Sequence, residues 1–299
     1  MNILNFIKND TFVKYNDFSE MTAKIIGVHP VDREKKLHYI FTDQTNFHPV
    51  DFRWKDQPAD RGSMTLGEVK KDVISCVVAA VKKDSGELYI DEEIKTKRGD
   101  DKWFFLVAHL IDADEIFLHA LINKDVILEV DKAYRFSLSS AHTLAHFSSL
   151  ALNKASSSFW SKETYLDSLG SKSLDSEAIQ HSLIMPCKSI DRYRLGKSLR
   201  KKGFEANRFL NELPKLEEEI KGIISGWVSK KDLNIVVSPE KNKLTEKREW
   251  RCNLPEGTAI IPCGGTHLHN WPISLNFTIS LQMLSKPYEF NMISTVEVV

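Results

Sequence analysis

Two pairs of soft metal donors lie far apart in this chain, and any fold that brings them together is tightly constrained. The first pair, His142 and His146, stands four residues apart in the run His142-Thr-Leu-Ala-His146. On a helix that spacing stacks both imidazoles on one face, one turn above the other, so both can reach one ion. The second pair, Cys263 and His267, brackets two glycines and a threonine behind a run of β-formers that ends at Pro262. Proline closes that run because it cannot donate to a ladder, and Gly264 and Gly265 permit a tight turn in which thiolate and imidazole converge. Three nitrogens and one sulfur suit zinc and are poor for magnesium or calcium, so the donor set predicts one Zn2+ per chain. Histidines four apart also arise by chance, and a buried cysteine is often only a small hydrophobe. The conjunction carries the expectation. Thr143 narrows it further: a helical zinc protease places its glutamate base at that position, so a protease is disfavoured.

The surrounding pattern predicts an α+β chain of two domains. A length of 299 residues is near the size at which one core stops growing. Short β-branched and aromatic runs at 23–28, 37–41, 73–81, 103–107 and 126–130 are divided by turn and charge clusters such as 82–86 and 97–102. Strands without intervening helical periodicity suggest a small antiparallel β-barrel over residues 1–136. The pattern then changes. Residues 141–157 lack Gly and Pro and read as a helix capped by Ser139 or Ser140. A second amphipathic helix is expected over 211–228, with Leu213, Leu216, Ile220, Ile223, Ile224 and Trp227 inward. Strands return at 234–237, 248–252, 258–261, 273–281 and 291–298, which makes residues 137–299 an α+β domain holding the metal.

Charge leaves the partner open. The 41 basic residues equal the 41 acidic ones, which excludes a protein that coats nucleic acid indiscriminately but not one with a local basic patch. Residues 1–8 are too short and too polar for a signal peptide, no stretch approaches a membrane span, and four scattered cysteines do not make a disulfide scaffold. A reducing, cytoplasmic setting is expected, with no membrane partner.

Taken together, His142-Thr-Leu-Ala-His146 and Cys263-Gly-Gly-Thr-His267 resemble the two-part zinc motif of alanyl-tRNA synthetase editing domains and their free-standing AlaX-type trans-editing relatives. Upstream, Thr45-Asn-Phe-His-Pro49 and Gln57-Pro-Ala-Asp-Arg-Gly62 are similar to that family's Phe-x-Pro and Gln-x-x-Asp-x-Gly elements, and 121–135 looks like the strand and linker leading to its zinc helix. The resemblance implies an N-terminal barrel followed by an editing domain as in threonyl- and alanyl-tRNA synthetases. It implies hydrolysis of serine, or of glycine, from mischarged alanine tRNA in trans, with zinc polarising the ester carbonyl or activating a bound water and with no catalytic side chain assigned. Three places depart from the pattern. Residues 50–56 replace consecutive glycines with bulky and charged side chains, and 270–274 replace the usual segment after the last ligand. The residue that senses a serine side chain has no secure counterpart: Thr164 and Ser168 are candidates, with Gly264, Gly265 and Thr266 beside them. Two rivals stand beside this reading: a non-catalytic, zinc-stabilised tRNA-binding module, and a hydrolase of the same fold acting on another aminoacyl ester.

A basic segment suggests where the acceptor end of tRNA would dock. Residues 188–202 hold seven positive charges against one acid, Asp191. Arg192, Arg194, Lys197, Arg200 and Lys201 suit phosphates, and Tyr193 suits stacking on an unpaired base, although such a run is often only a solvated face. His109 and His181 are expected to be structural, and His269 to be structural or a support for the metal ligands.

Overall fold

A computed structural model describes residues 6–15, 20–230, 233–239 and 241–298. The start of the 1–8 stretch, residues 1–5, lies outside that range. The chain forms two compact units: Met1–Arg135 with Pro239–Arg248, and Phe136–Ser238 with Glu249–Val299. The fold is mixed α+β with several antiparallel sheets. No helix among the described residues is long and apolar enough to cross a membrane.

In the first unit, eight strands form one antiparallel sheet. Their order is Val69–Val73, Gly62–Leu66, Asp125–Val130, Met21–Asp32, Leu37–Thr42, Trp103–Asp112, Ser75–Lys82 and Leu88–Ile90. The expected barrel is not closed among the described residues, because the two edge strands have no ladder to each other. What the sequence shows as one apolar run, 73–81, is divided between two strands at Ile74. Its first part ends the strand at one edge, and its second pairs with Trp103–Asp112 near the other. The Ile74 amide donates to the Leu110 carbonyl at 2.8 Å, at the start of the ladder that the second part makes with Trp103–Asp112.

The resemblance-bearing residues of this unit are structural in their contacts. Arg135 and Asp60 are buried and ion-paired. At Gly62, a Cβ would lie 2.0 Å from the Glu129 carbonyl oxygen and 2.8 Å from the Phe47 ring, so only glycine fits between those strands. His109 is a satisfied core histidine: its ring bonds Thr45 Oγ1 at 2.9 Å and the Ile40 carbonyl at 3.1 Å, and burial lowers its pKa to about 4.

The second unit takes in the helix Lys132–Ala155 from Phe136 onward, and that helix begins earlier than the expected 141. Asp131 caps it, its carboxylate accepting from the Tyr134 amide at 3.0 Å. That frees Ser139 and Ser140 from capping; Ser139 instead donates to Thr266. The second long helix runs Leu213–Val228 with Leu216, Ile220, Ile224 and Trp227 buried. One four-stranded antiparallel sheet has the order Ile179–Met185, Lys188–Arg194, Glu289–Val298, Leu275–Met283. A three-stranded sheet has the order Ile235–Ser238, Glu249–Leu254, Gly257–Pro262. Alternation explains the central strand of the latter: Trp250, Cys252 and Leu254 face the core while Arg251 and Asn253 face out. Phe147, Trp227, Trp250 and Phe290 lie in the core cluster shared by these layers.

Candidate metal centre

Two elements deliver the four donors. The helix Lys132–Ala155 presents His142 and His146 one turn apart, their ring centroids 4.9 Å from each other. The strand Gly257–Pro262 runs antiparallel to Glu249–Leu254 and releases the chain at Pro262, directly before Cys263. Core packing then sets the turn. Leu268 and Trp271 are buried beyond it, and Trp250 meets His146 edge-on at 5.0 Å. The ligand atoms of His142, His146, Cys263 and His267 all lie within 4.8 Å of one another, so the cluster could hold a metal ion.

The local contacts fit that use. Cys263 Sγ is 3.6 Å from His142 Nε2 and 3.2 Å from His267 Nε2, so these ring nitrogens face the sulfur and not the solvent. The His267 centroid lies 4.3 Å from that of His142 and 4.7 Å from that of His146. His146 Nε2 is buried and has no hydrogen-bond partner. An orphaned ring nitrogen costs free energy unless something coordinates it, and beside the other three donors this atom fits a metal ligand. Burial lowers the His142 pKa to about 4 and pushes that of His146 well below its ordinary value, with His142 adding to the second effect. Both rings are therefore neutral near pH 7, the form in which an imidazole lone pair binds metal.

The glycines of the turn act differently from expectation. Neither Gly264 nor Gly265 adopts a positive φ. A Cβ at Gly264 would meet nothing within 4 Å, so the backbone does not require glycine there. The Gly265 amide donates to Cys263 Sγ at 3.4 Å, a contact that favours a thiolate. Thr266 is buried, with its hydroxyl accepting from Ser139 at 3.0 Å, so it belongs to the support of the turn and not to an open wall.

A cleft of about 440 Å³ is lined among others by Ser149, Asn153, Ser168 and Pro262, and by none of the four donors. Ser149 lies one helical turn past His146, and Pro262 precedes Cys263. Ser168 is exposed at this cleft and accepts a hydrogen bond from the Ile260 amide at 2.8 Å. Thr164 is half-buried and does not line the cleft.

The basic segment is a strand, Lys188–Arg194, followed by the short helix Lys197–Lys201. Arg194, Lys197, Arg200 and Lys201 are exposed. Arg200 lies over the Tyr288 ring at 4.3 Å. Arg192 is half-buried and tied to Glu289, its Nε 3.0 Å from the carboxylate. Tyr193 corrects the expectation. Strand alternation turns it inward, where it is fully buried, stacks on Phe290 at 5.0 Å and donates to Asp175 at 2.7 Å. Its ring is not available to a nucleic-acid base.

Sequence reasoning does not reveal the contacts of Thr143, whose hydroxyl lies 3.3 Å from His267 Nδ1 and accepts from the Leu268 amide at 3.1 Å. A hydroxyl between two histidines on one helix is the available signal. Compared with known proteins, the chain matches no family model, and no curated protein matches it.

Proposed function

We propose that the chain is a zinc-dependent hydrolase of the alanyl-tRNA editing class, acting in the cytoplasm on mischarged tRNA in trans, with serine or glycine on alanine tRNA as its substrate. The observation that carries the reading is the convergence of His142, His146, Cys263 and His267 from two distant segments. On a tetrahedral zinc, imidazole nitrogens at about 2.0 Å and a thiolate at about 2.3 Å stand roughly 3.3–3.6 Å from one another. The sulfur–nitrogen separations of 3.2 and 3.6 Å are near that spacing, and the choice of zinc rests on the softness of the donor set. Bound there, zinc supplies Lewis acidity that an ester carbonyl or a water can use. In this reading the second unit takes the fold of the threonyl- and alanyl-tRNA synthetase editing domains. The cleft beside Ser168 receives the acyl end, and Arg194, Lys197, Arg200 and Lys201 meet phosphates.

The test is single-turnover deacylation of alanine tRNA charged with serine, glycine or alanine, with His146→Ala as control. Serine release faster than alanine release is expected, because a site that bonds a hydroxyl discriminates strongly against a residue lacking one. A second reading has its own observation. Four protein donors close a zinc site, and closed sites are commonly structural. Equal, slow loss from all three tRNAs, matching the control, would leave a zinc-stabilised RNA-binding module. Fast loss from another aminoacyl-tRNA would keep the hydrolase and change its specificity.

A further inference from the structure

The helix that carries His142 and His146 bears a second stripe of side chains, Ser139 and Thr143, also one turn apart. Both are fully buried. Each reaches the ligand turn on a different side of His267. Ser139 Oγ donates to Thr266 Oγ1 at 3.0 Å, and the Leu268 amide donates to Thr143 Oγ1 at 3.1 Å. The residues before and after His267 are thus held to one helix at two points. Between them, Thr143 Oγ1 also lies 3.3 Å from Nδ1 of His267 itself.

We propose that Thr143 is a positioning residue of the metal centre, holding the His267 ring so that its Nε2 lone pair is presented to the ion. The proposal rests on the reading of the four-residue cluster as a metal site, and its logic is one of proton placement. His267 Nε2 is the nitrogen that faces Cys263 Sγ. A nitrogen that binds metal carries no proton, so in neutral imidazole the proton sits on Nδ1. Nδ1–H then needs an acceptor, and in this buried turn Thr143 Oγ1 is within reach. A hydroxyl oxygen has two lone pairs. One takes the Leu268 amide and the other takes Nδ1–H, so a single atom fixes the tautomer of the ligand and the path of the chain behind it. Metal-binding histidines generally depend on such a partner at the far nitrogen, and removing it weakens affinity about 10–100-fold. Ser139 completes the hold by fixing Thr266, which sets the direction from which His267 enters.

The same geometry explains why threonine stands where a zinc protease has its base. Thr143 is turned toward the ligand turn and engaged there, so it has no lone pair left for activating water.

The experiment measures zinc affinity of the full chain by competition with a chromophoric chelator, in wild type, Thr143→Val, Thr143→Ser and Ser139→Ala. Circular dichroism confirms that each is folded at the assay temperature. Thr143→Val keeps the shape and removes the acceptor, and about 10–100-fold weaker binding is expected. Thr143→Ser restores the hydroxyl and should return affinity to within about threefold of wild type, a rescue that loss of packing alone would not give. Cobalt absorption adds a geometric readout: the ligand-field bands of Thr143→Val should shift while those of Thr143→Ser overlay the wild type. If Thr143→Val does not fold, Ser139→Ala carries the test, with a smaller loss of affinity expected. Wild-type affinity and spectra in both Thr143→Val and Ser139→Ala would overturn the positioning role while leaving the metal site intact. A wild-type chain that binds neither zinc nor cobalt would overturn both.

Discussion

Replacing Arg135 by methionine tests what the buried motif of the first unit does. The guanidinium is fully buried and spends its donors on fixed partners. Nε donates to Asp60 Oδ1 at 2.7 Å, Nη1 to the Tyr15 carbonyl at 2.5 Å, and Nη2 to the Asn46 carbonyl at 2.6 Å and to Asp60 Oδ2. Asp60 Oδ2 also accepts the His48 amide at 2.5 Å. Methionine fills much of the same stem volume but leaves the carboxylate without its counter-charge, along with two carbonyls deprived of a donor. Breaking one partner of a buried pair costs about 3–5 kcal/mol, and each orphaned carbonyl adds about 1–3 kcal/mol. A loss of at least ~5 kcal/mol is expected, comparable to the whole stability of a typical domain. Adding Asp60→Asn to Arg135→Met removes the stranded charge and should recover about 2 kcal/mol. Hydrogen exchange by mass spectrometry reads this unit alone, through peptides covering 21–32 and 103–112. Protection in Arg135→Met within ~1 kcal/mol of wild type, or a double variant less stable than the single one, would refute the reasoning.

Three further outcomes are expected. Cys263→Ser should sharply reduce zinc retained through purification, measured by elemental analysis, because it removes the thiolate's charge and softness. Arg194→Glu with Arg200→Glu should weaken tRNA binding and flatten its dependence on salt, since fewer counterions are released; an unchanged slope would make the segment an ordinary solvated face. Tyr193→Phe should cost about 1.5–3 kcal/mol of stability through the lost bond to Asp175, yet leave RNA affinity within about twofold, which a binding titration and a denaturant melt separate.

Much of this architecture is legible where periodicity is strong and local. Alternation locates strands such as Leu37–Thr42 and Gly257–Pro262, and the 3.6-residue pattern locates Leu213–Val228. The i,i+4 histidines and the Cys-x-x-x-His turn identify residues that the fold does bring together. Long-range facts are not legible. A one-residue interruption at Ile74 decides whether one apolar run is one strand or two, and hydropathy does not record a change of strand partner. Tyr193 reads in sequence with the charges around it, although strand alternation places each neighbour on the opposite face. Two serines look like caps because capping residues and tertiary hydrogen-bonders are the same residue types. Asp131, which does cap the helix, lies eight residues earlier than the first of them.

The path of the chain after residue 238 has a consequence for how the molecule is made. Asn242–Lys243 pairs with Phe12–Val13, so a short stretch near the C-terminal end supplies a strand partner to one near the N-terminal end of the same unit. Phe12–Val13 also pairs in parallel with Gln44–Thr45, which makes a small third sheet in the first unit. On the ribosome, that sheet cannot be completed until residue 243 has left the exit tunnel, by which point most of the second unit has already emerged. Maturation of the earlier-made half therefore waits on the later-made one. A polypeptide ending at residue 135 would lack this partner, and a gene split between the two units would need four pieces of chain, not two.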